Sequence, residues 1–148
     1  MKILVISDSH NNLTNLKHVM GFAKQIKAYA VIHCGDWNTL ESVETVISFG
    51  IPLYAVVGNA DIADDVKNKF PEFLEVKIDN LRIGVCHSIV NCKLKIENSD
   101  VVFYGHTHRQ EDKIINGVRC VNPGALENGI NFAIYDTTSD KIEFIHED

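Results

Sequence analysis

The chain has 148 residues, 45% of them hydrophobic and 23% charged, with 9 Gly and 3 Pro. That is the composition of a globular protein and excludes intrinsic disorder, collagen and coiled coil. The length fits a single domain over residues 1–148 that can bury roughly 70% of its unfolded surface. The net charge of −6 argues against a broad basic face for duplex nucleic acid. A phosphate substrate stays compatible with that charge if metal ions supply the positive potential.

No apolar run approaches the roughly 20 residues of a membrane span. The chain reaches Asp8 too early for a signal peptide, so the expected compartment is the cytoplasm. The cysteines at 34, 86, 92 and 120 form no Cys-x-x-Cys pair and read as free thiols.

Along the chain one event recurs: an apolar strand-like run ends, and a polar residue able to bind metal follows. Ile3 to Ile6 runs into Asp8-Ser9-His10. A helix follows, with Asn12 as N-cap and Leu13, Leu16, Val19, Met20, Ala23 and Ile26 at helical spacing. Tyr29 to Ile32 runs through His33-Cys34 into Gly35-Asp36. Thr39 to Phe49 is a second helix, ended by Gly50 and Pro52. Leu53 to Val57 runs into Gly58-Asn59. Strand, helix, strand, helix, strand implies parallel crossovers.

From Phe73 onward hairpins are expected. Asp79-Asn80 separates Val76–Ile78 from Leu81–Ile83. Asn116-Gly117, a strong hairpin signal, separates Lys113–Ile115 from Val118–Cys120. A last polar turn separates Phe132–Tyr135 from Lys141–Ile145. Within this half, Leu81 to Cys86 runs into His87, and Val101 to Tyr104 runs into Gly105-His106-Thr107-His108. The expectation is a parallel α/β first half and a largely antiparallel second half, as two face-to-face sheets with helices outside.

Ligands gather beyond the carboxyl ends of strands in an open α/β sheet. The five strand ends would therefore set Asp8, His10, Asp36, Asn59, His87, His106 and His108 along one rim. Gly35, Gly58 and Gly105 permit close backbone approach. Alone, most pieces are an ordinary turn or a satisfied histidine, Gly105-His106-Thr107-His108 being the sharper signal. Together they form a mixed oxygen and nitrogen set that suits Mn, Fe, Zn, Co or Ni.

This series resembles the signature of the calcineurin-like metallophosphoesterase superfamily, in its small bacterial and archaeal phosphodiesterase branch. The likeness runs from Met1 to about Ala125. It implies a two-sheet α/β metallophosphoesterase sandwich flanked by helices. By the resemblance, Asp8, His10, Asp36 and His108 would hold one divalent ion. Asn59, His87 and His106 would hold a second, with Asp36 bridging. Asp36, Asn59 and His106 are the catalytic candidates among them. The implied reaction is hydrolysis of a phosphate diester by a metal-held hydroxide, the substrate being a small phosphate ester, a nucleotide among the options. The resemblance also implies dimers or higher oligomers. The alternatives are a phosphomonoesterase or nucleotidase, or a protein-binding scaffold such as the retromer sorting subunit.

The sequence departs from the family pattern at Ala60, where the family commonly has a leaving-group histidine, with Asp61 next to it. Ser88 and Asn11 replace frequent glycines, Ala125 replaces a serine, and the segment from His87 to Ser99 suggests a reduced cap. His33 and Cys34 are read as core, Cys86 as pointing away from His87, and His18 and His146 as surface. Trp37 is assigned to the substrate cleft or to a sheet edge, and Arg109 to a solvated charge, with contact to a phosphate as the alternative.

Overall fold

In the computed structural model, residues 1–147 are described; the predicted domain ends at residue 148, which lies outside them. The elements in chain order are β1 (Lys2–Ile6), α1 (Leu13–Gln25), β2 (Ala30–His33), α2 (Leu40–Ile47), β3 (Leu53–Ala55), α3 (Asp64–Lys67), β4 (Phe73–Ile78), β5 (Leu81–Cys86), α4 (Ile89–Cys92), β6 (Val101–Phe103), β7 (Gln110–Ile115), β8 (Val118–Pro123), β9 (Ile130–Asp136) and β10 (Lys141–Glu147). One sheet has the order β10-β9-β1-β2-β3 and the other β4-β5-β6-β8-β7. This is the expected two-sheet sandwich.

Both long helices start as the sequence predicts. The Asn12 side chain accepts the Asn15 amide at the head of α1, and Thr39 caps α2 through Ser42. Alternation along β1 explains the layering. Ile3 and Val5 join the core between the sheets, with Ile83, Val85, Phe103 and Tyr135. Leu4 and Ile6 join the opposite core, beneath Leu16, Val19 and Met20 of α1 and Val43 and Val46 of α2. A strand buried on both faces reads as a continuous apolar run. A third cluster, with Cys86, Val102, Tyr104 and Cys120, is covered by Ile89, Cys92 and Ile96.

The parallel first half holds: β1 pairs β2, and β2 pairs β3, both parallel. The second half keeps its three expected antiparallel hairpins, β4 with β5, β7 with β8 and β9 with β10, but the second sheet has a parallel centre. β5, β6 and β8 are mutually parallel, and only the edge strands β4 and β7 run against them. The segment with α4 carries the chain back across the sheet, which the Leu81–Ser99 pattern did not reveal. The last hairpin leaves its own half altogether: β9 pairs β1, so β9 and β10 extend the first sheet. None of the described helices is long and apolar enough to cross a membrane.

Candidate metal centre

Three loops meet where the two sheets adjoin. The β1–α1 loop lies along the β2–α2 loop, with Asp8 N, His10 N and Asn11 N donating to Gly35 O, Asp36 O and Trp37 O, each at 3.0 Å. The loop after β6 closes from the other sheet, with His106 N donating to Asp8 Oδ2 at 3.0 Å. Gly105 must be glycine there, because a Cβ would overlap Ser7 Oγ and Asp8 Oδ2; at Gly58 a Cβ would overlap Asp36 Oδ1.

Each buried carboxylate has one oxygen anchored and one left to the site. Asp8 Oδ2 accepts from Ser7 Oγ at 2.6 Å and from His106 N. Its Oδ1 lies 3.1 Å from His108 Nε2, 3.7 Å from His10 Nε2 and 3.8 Å from His87 Nε2. Asp36 Oδ1 accepts from Ala60 N at 2.8 Å. Its Oδ2 stands between His87 Nε2 at 3.2 Å and His10 Nε2 at 3.4 Å. Asp8 Oδ1, His10 Nε2 and His87 Nε2 are buried without a hydrogen-bond partner. Buried polar atoms are normally satisfied, so converging orphans are what a cation site presents before its ion binds.

Two overlapping groups have metal-binding spacing: Asp8, His10 and His108, and Asp8, Asp36 and His87. The imidazoles stand in pairs, His10 with His108 at 5.5 Å between ring centres and His87 with His106 at 5.2 Å. Asn59, His87 and His106 line one cavity of about 230 Å³ with Phe73, Asn91 and Lys95. The seven residues singled out from the sequence therefore gather at one place, with Asn59 and His106 on its open side.

Electrostatics follow the burial. Desolvation pushes the Asp8 carboxyl up, against the pull of His87, Ser7, His106 and His108. Desolvation also pushes Asp36 up, but the neighbouring His87 imidazole, the Ala60 amide and His10 outweigh it and hold the group at about 2. Burial pulls His87 down, yet Asp36 and Asp8 raise it above the ordinary histidine value. Five of the seven residues, Asp8, His10, Asp36, His106 and His108, have positive φ. Such backbone is uncommon outside glycine and collects at functional sites.

The places of three residues emerge only in three dimensions. Asp61, next to Ala60, is 3% exposed and has both carboxylate oxygens taken up by backbone. Its Oδ1 accepts from Trp37 N and Asn38 N, and its Oδ2 from Asp36 N and Gly58 N, at 2.8–3.0 Å. Trp37 does not line the cleft but packs at the end of the edge strand β3, its Nε1 donating to Val56 O at 3.2 Å. It is fully buried, stacked on His33 at 3.5 Å and on Phe70 at 5.7 Å. Glu127 carried no sequence signal, yet its Oε2 lies 3.8 Å from His108 Nδ1 and 3.9 Å from His10 Nε2. His33, Cys34 and Cys86 are buried core residues, His18 is exposed and paired with Glu147, and Arg109 is exposed, all as read.

Carboxylates and imidazoles gathered at the strand ends of a two-sheet sandwich form a donor set suited to divalent metal ions. Residues 1–140 match the family model for the calcineurin-like phosphoesterase superfamily domain, and the chain belongs to that superfamily. It is 30% identical over 138 residues to phosphodiesterase MJ0936 of Methanocaldococcus jannaschii, covering 84% of this chain and 83% of the relative. The probable metallophosphoesterase YsnB of Bacillus subtilis is 30% identical over 138 residues, covering 85% of this chain and 75% of the relative. A solved structure of an archaeal phosphodiesterase superposes with a TM-score of 0.84 at 27% identity, over 99% of this chain and all of that one.

Proposed function

We propose that this phosphoesterase hydrolyses diesters with two divalent ions, one held by Asp8, His10, Asp36 and His108, the other by Asn59, His87 and His106 with Asp36. The observation that carries the reading is the placement of Asp8 Oδ1, a buried carboxylate oxygen without a hydrogen-bond partner, and Asp36 Oδ2 among three imidazoles. Bound divalent ions supply an activated water for attack on phosphorus and positive charge for the phosphoryl oxygens. Asp36 stays ionised over the working pH range and sets its charge between the two imidazole pairs. Its position fits the bridge. Asn59 and His106 face the cavity and orient the ester there.

The diester reading rests on the relative named a phosphodiesterase and on that cavity. At about 230 Å³ it seats a substituent of one ring, the size of a sugar or base, which keeps nucleotides among the candidate substrates. The mixed donor set accommodates Mn, Ni, Fe, Zn or Co. Four free, buried cysteines fit a reducing compartment, the cytoplasm.

Metal-stripped protein should take up about two equivalents of a divalent transition metal. The loaded protein should then hydrolyse linear or cyclic diesters in a panel that includes monoesters. Asp36→Asn should cost the most of any single ligand change, because the amide loses the charge between both ion sites. Turnover of monoesters alone would move the assignment to a phosphomonoesterase or nucleotidase. Failure to bind any transition metal would leave the scaffold reading.

A further inference from the structure

We infer that Glu127 is a positioning residue for the first ion site, acting through His108. The inference rests on the two-metal reading and adds to it a residue outside the seven-member set.

His108 is the most loosely framed of the first group. Its side chain is 39% exposed and its φ is +63°. Nε2 points inward, 3.1 Å from Asp8 Oδ1, so Nδ1 points out of the set. His87 shows what fixes such a ring. There Nδ1 is bound to Cys34 O at 2.8 Å, which puts the proton on Nδ1 and leaves the Nε2 lone pair for the site. Among the described residues, no backbone carbonyl plays that part for His108. The group facing its Nδ1 is the Glu127 carboxylate, at 3.8 Å. A shift of about 1 Å would bring this to ordinary hydrogen-bond length. A carboxylate there would fix the tautomer and ring angle and raise the basicity of Nε2.

The rest of the loop is built to hold Glu127 in place without its side chain. Asn12 Nδ2 donates to Glu127 O at 2.8 Å, and Asn15 Nδ2 to Leu126 O at 2.8 Å. Leu126 N donates to Ser7 O at 3.1 Å, and the Leu126 side chain is fully buried. Among the described residues, the Glu127 carboxylate has no lysine or arginine partner; its ionic neighbours are His108 and His10.

The test is calorimetric titration of metal-stripped protein with Mn²⁺ alone, for wild type, Glu127→Gln and Glu127→Ala. Glu127→Ala should weaken one ion site by about 10–100-fold and spare the other. Glu127→Gln should fall between, since its amide oxygen still accepts from Nδ1–H. In a His108→Ala background, Glu127→Ala should add nothing further. The melting temperature of the metal-free protein should not move, because the loop is held by its backbone. Unchanged Mn²⁺ affinity in both variants would overturn the inference. So would an equal loss at both sites accompanied by a lower melting temperature. Absence of Mn²⁺ binding in the wild type would instead overturn the two-metal reading beneath it.

Discussion

His33 shows how a residue outside the ligand set shapes the site. Its Nδ1 accepts from Gly35 N at 3.1 Å, so the proton sits on Nε2, which donates to Ser9 Oγ at 3.0 Å. The ring thereby ties the loop carrying Asp8 and His10 to the loop carrying Asp36. It is fully buried and stacked against Trp37, and desolvation holds its imidazole well below the ordinary histidine value. The folded state keeps this histidine neutral where the unfolded chain takes up a proton. Its contribution is therefore complete above the unfolded value of about 6.5 and is lost as pH falls below it. The loss should approach about 1.4 kcal/mol per pH unit for this one group. Urea unfolding of metal-free wild type and His33→Asn between pH 7.5 and 5.5 checks this. The wild type should lose more stability with acid than the variant. Equal slopes would show that His33 is protonated in the folded protein.

At the scale of elements, the site is a meeting of loops, and Asp61 is their clamp. Its two oxygens take four backbone N–H groups from the loops after β2 and β3. One of them belongs to Asp36 itself and one to Gly58, beside Asn59. Asp61→Ala should strand these donors in a buried place and cost at least about 3 kcal/mol in urea unfolding. It should also weaken metal uptake, because Asp36 and Asn59 lose their common anchor. A loss under about 1 kcal/mol would mean that the loops hold themselves. This clamp also marks where the sequence stops being legible. Strand runs and the polar residue behind each are local signals, so β1, β2, β3, β5 and β6 and all seven candidate ligands could be read directly. Asp61 meets Asp36 across 25 positions, His33 meets Ser9 across 24, and Glu127 lies 19 positions from His108 and 117 from His10, and no local pattern encodes such pairings. The same holds for β9. Its hairpin was visible, but its partner β1 lies at the other end of the chain. Trp37 follows a site residue in sequence, yet of its two expected places it takes the sheet edge, buried between His33 and Phe70.

Across the whole molecule, the two sheets divide the site between them. The first sheet delivers Asp8, His10, Asp36 and Asn59, and the second delivers His87, His106 and His108. The anions come from one sheet, and three of the four imidazoles come from the other, so the site is complete only when the sandwich closes. What neither sheet delivers is an imidazole at position 60 to protonate the departing alcohol. The Ala60 amide is already bound to Asp36 Oδ1, and both oxygens of Asp61 are occupied by backbone. Phosphoryl transfer then expels an alkoxide without help, and positioned acid catalysis is typically worth about 10²–10⁴ in rate. Activated aryl diesters should therefore turn over well and alkyl esters slowly. A rate series over leaving groups of graded pKa should be steep for wild type and flatter for Ala60→His. A shallow wild-type series would mean that the protein already holds a donor. In that case the cavity points to Lys95, which lines it with His87 and His106. Lys95→Met should then restore the steep dependence, whereas Asp61→Asn should act on stability and leave the slope unchanged.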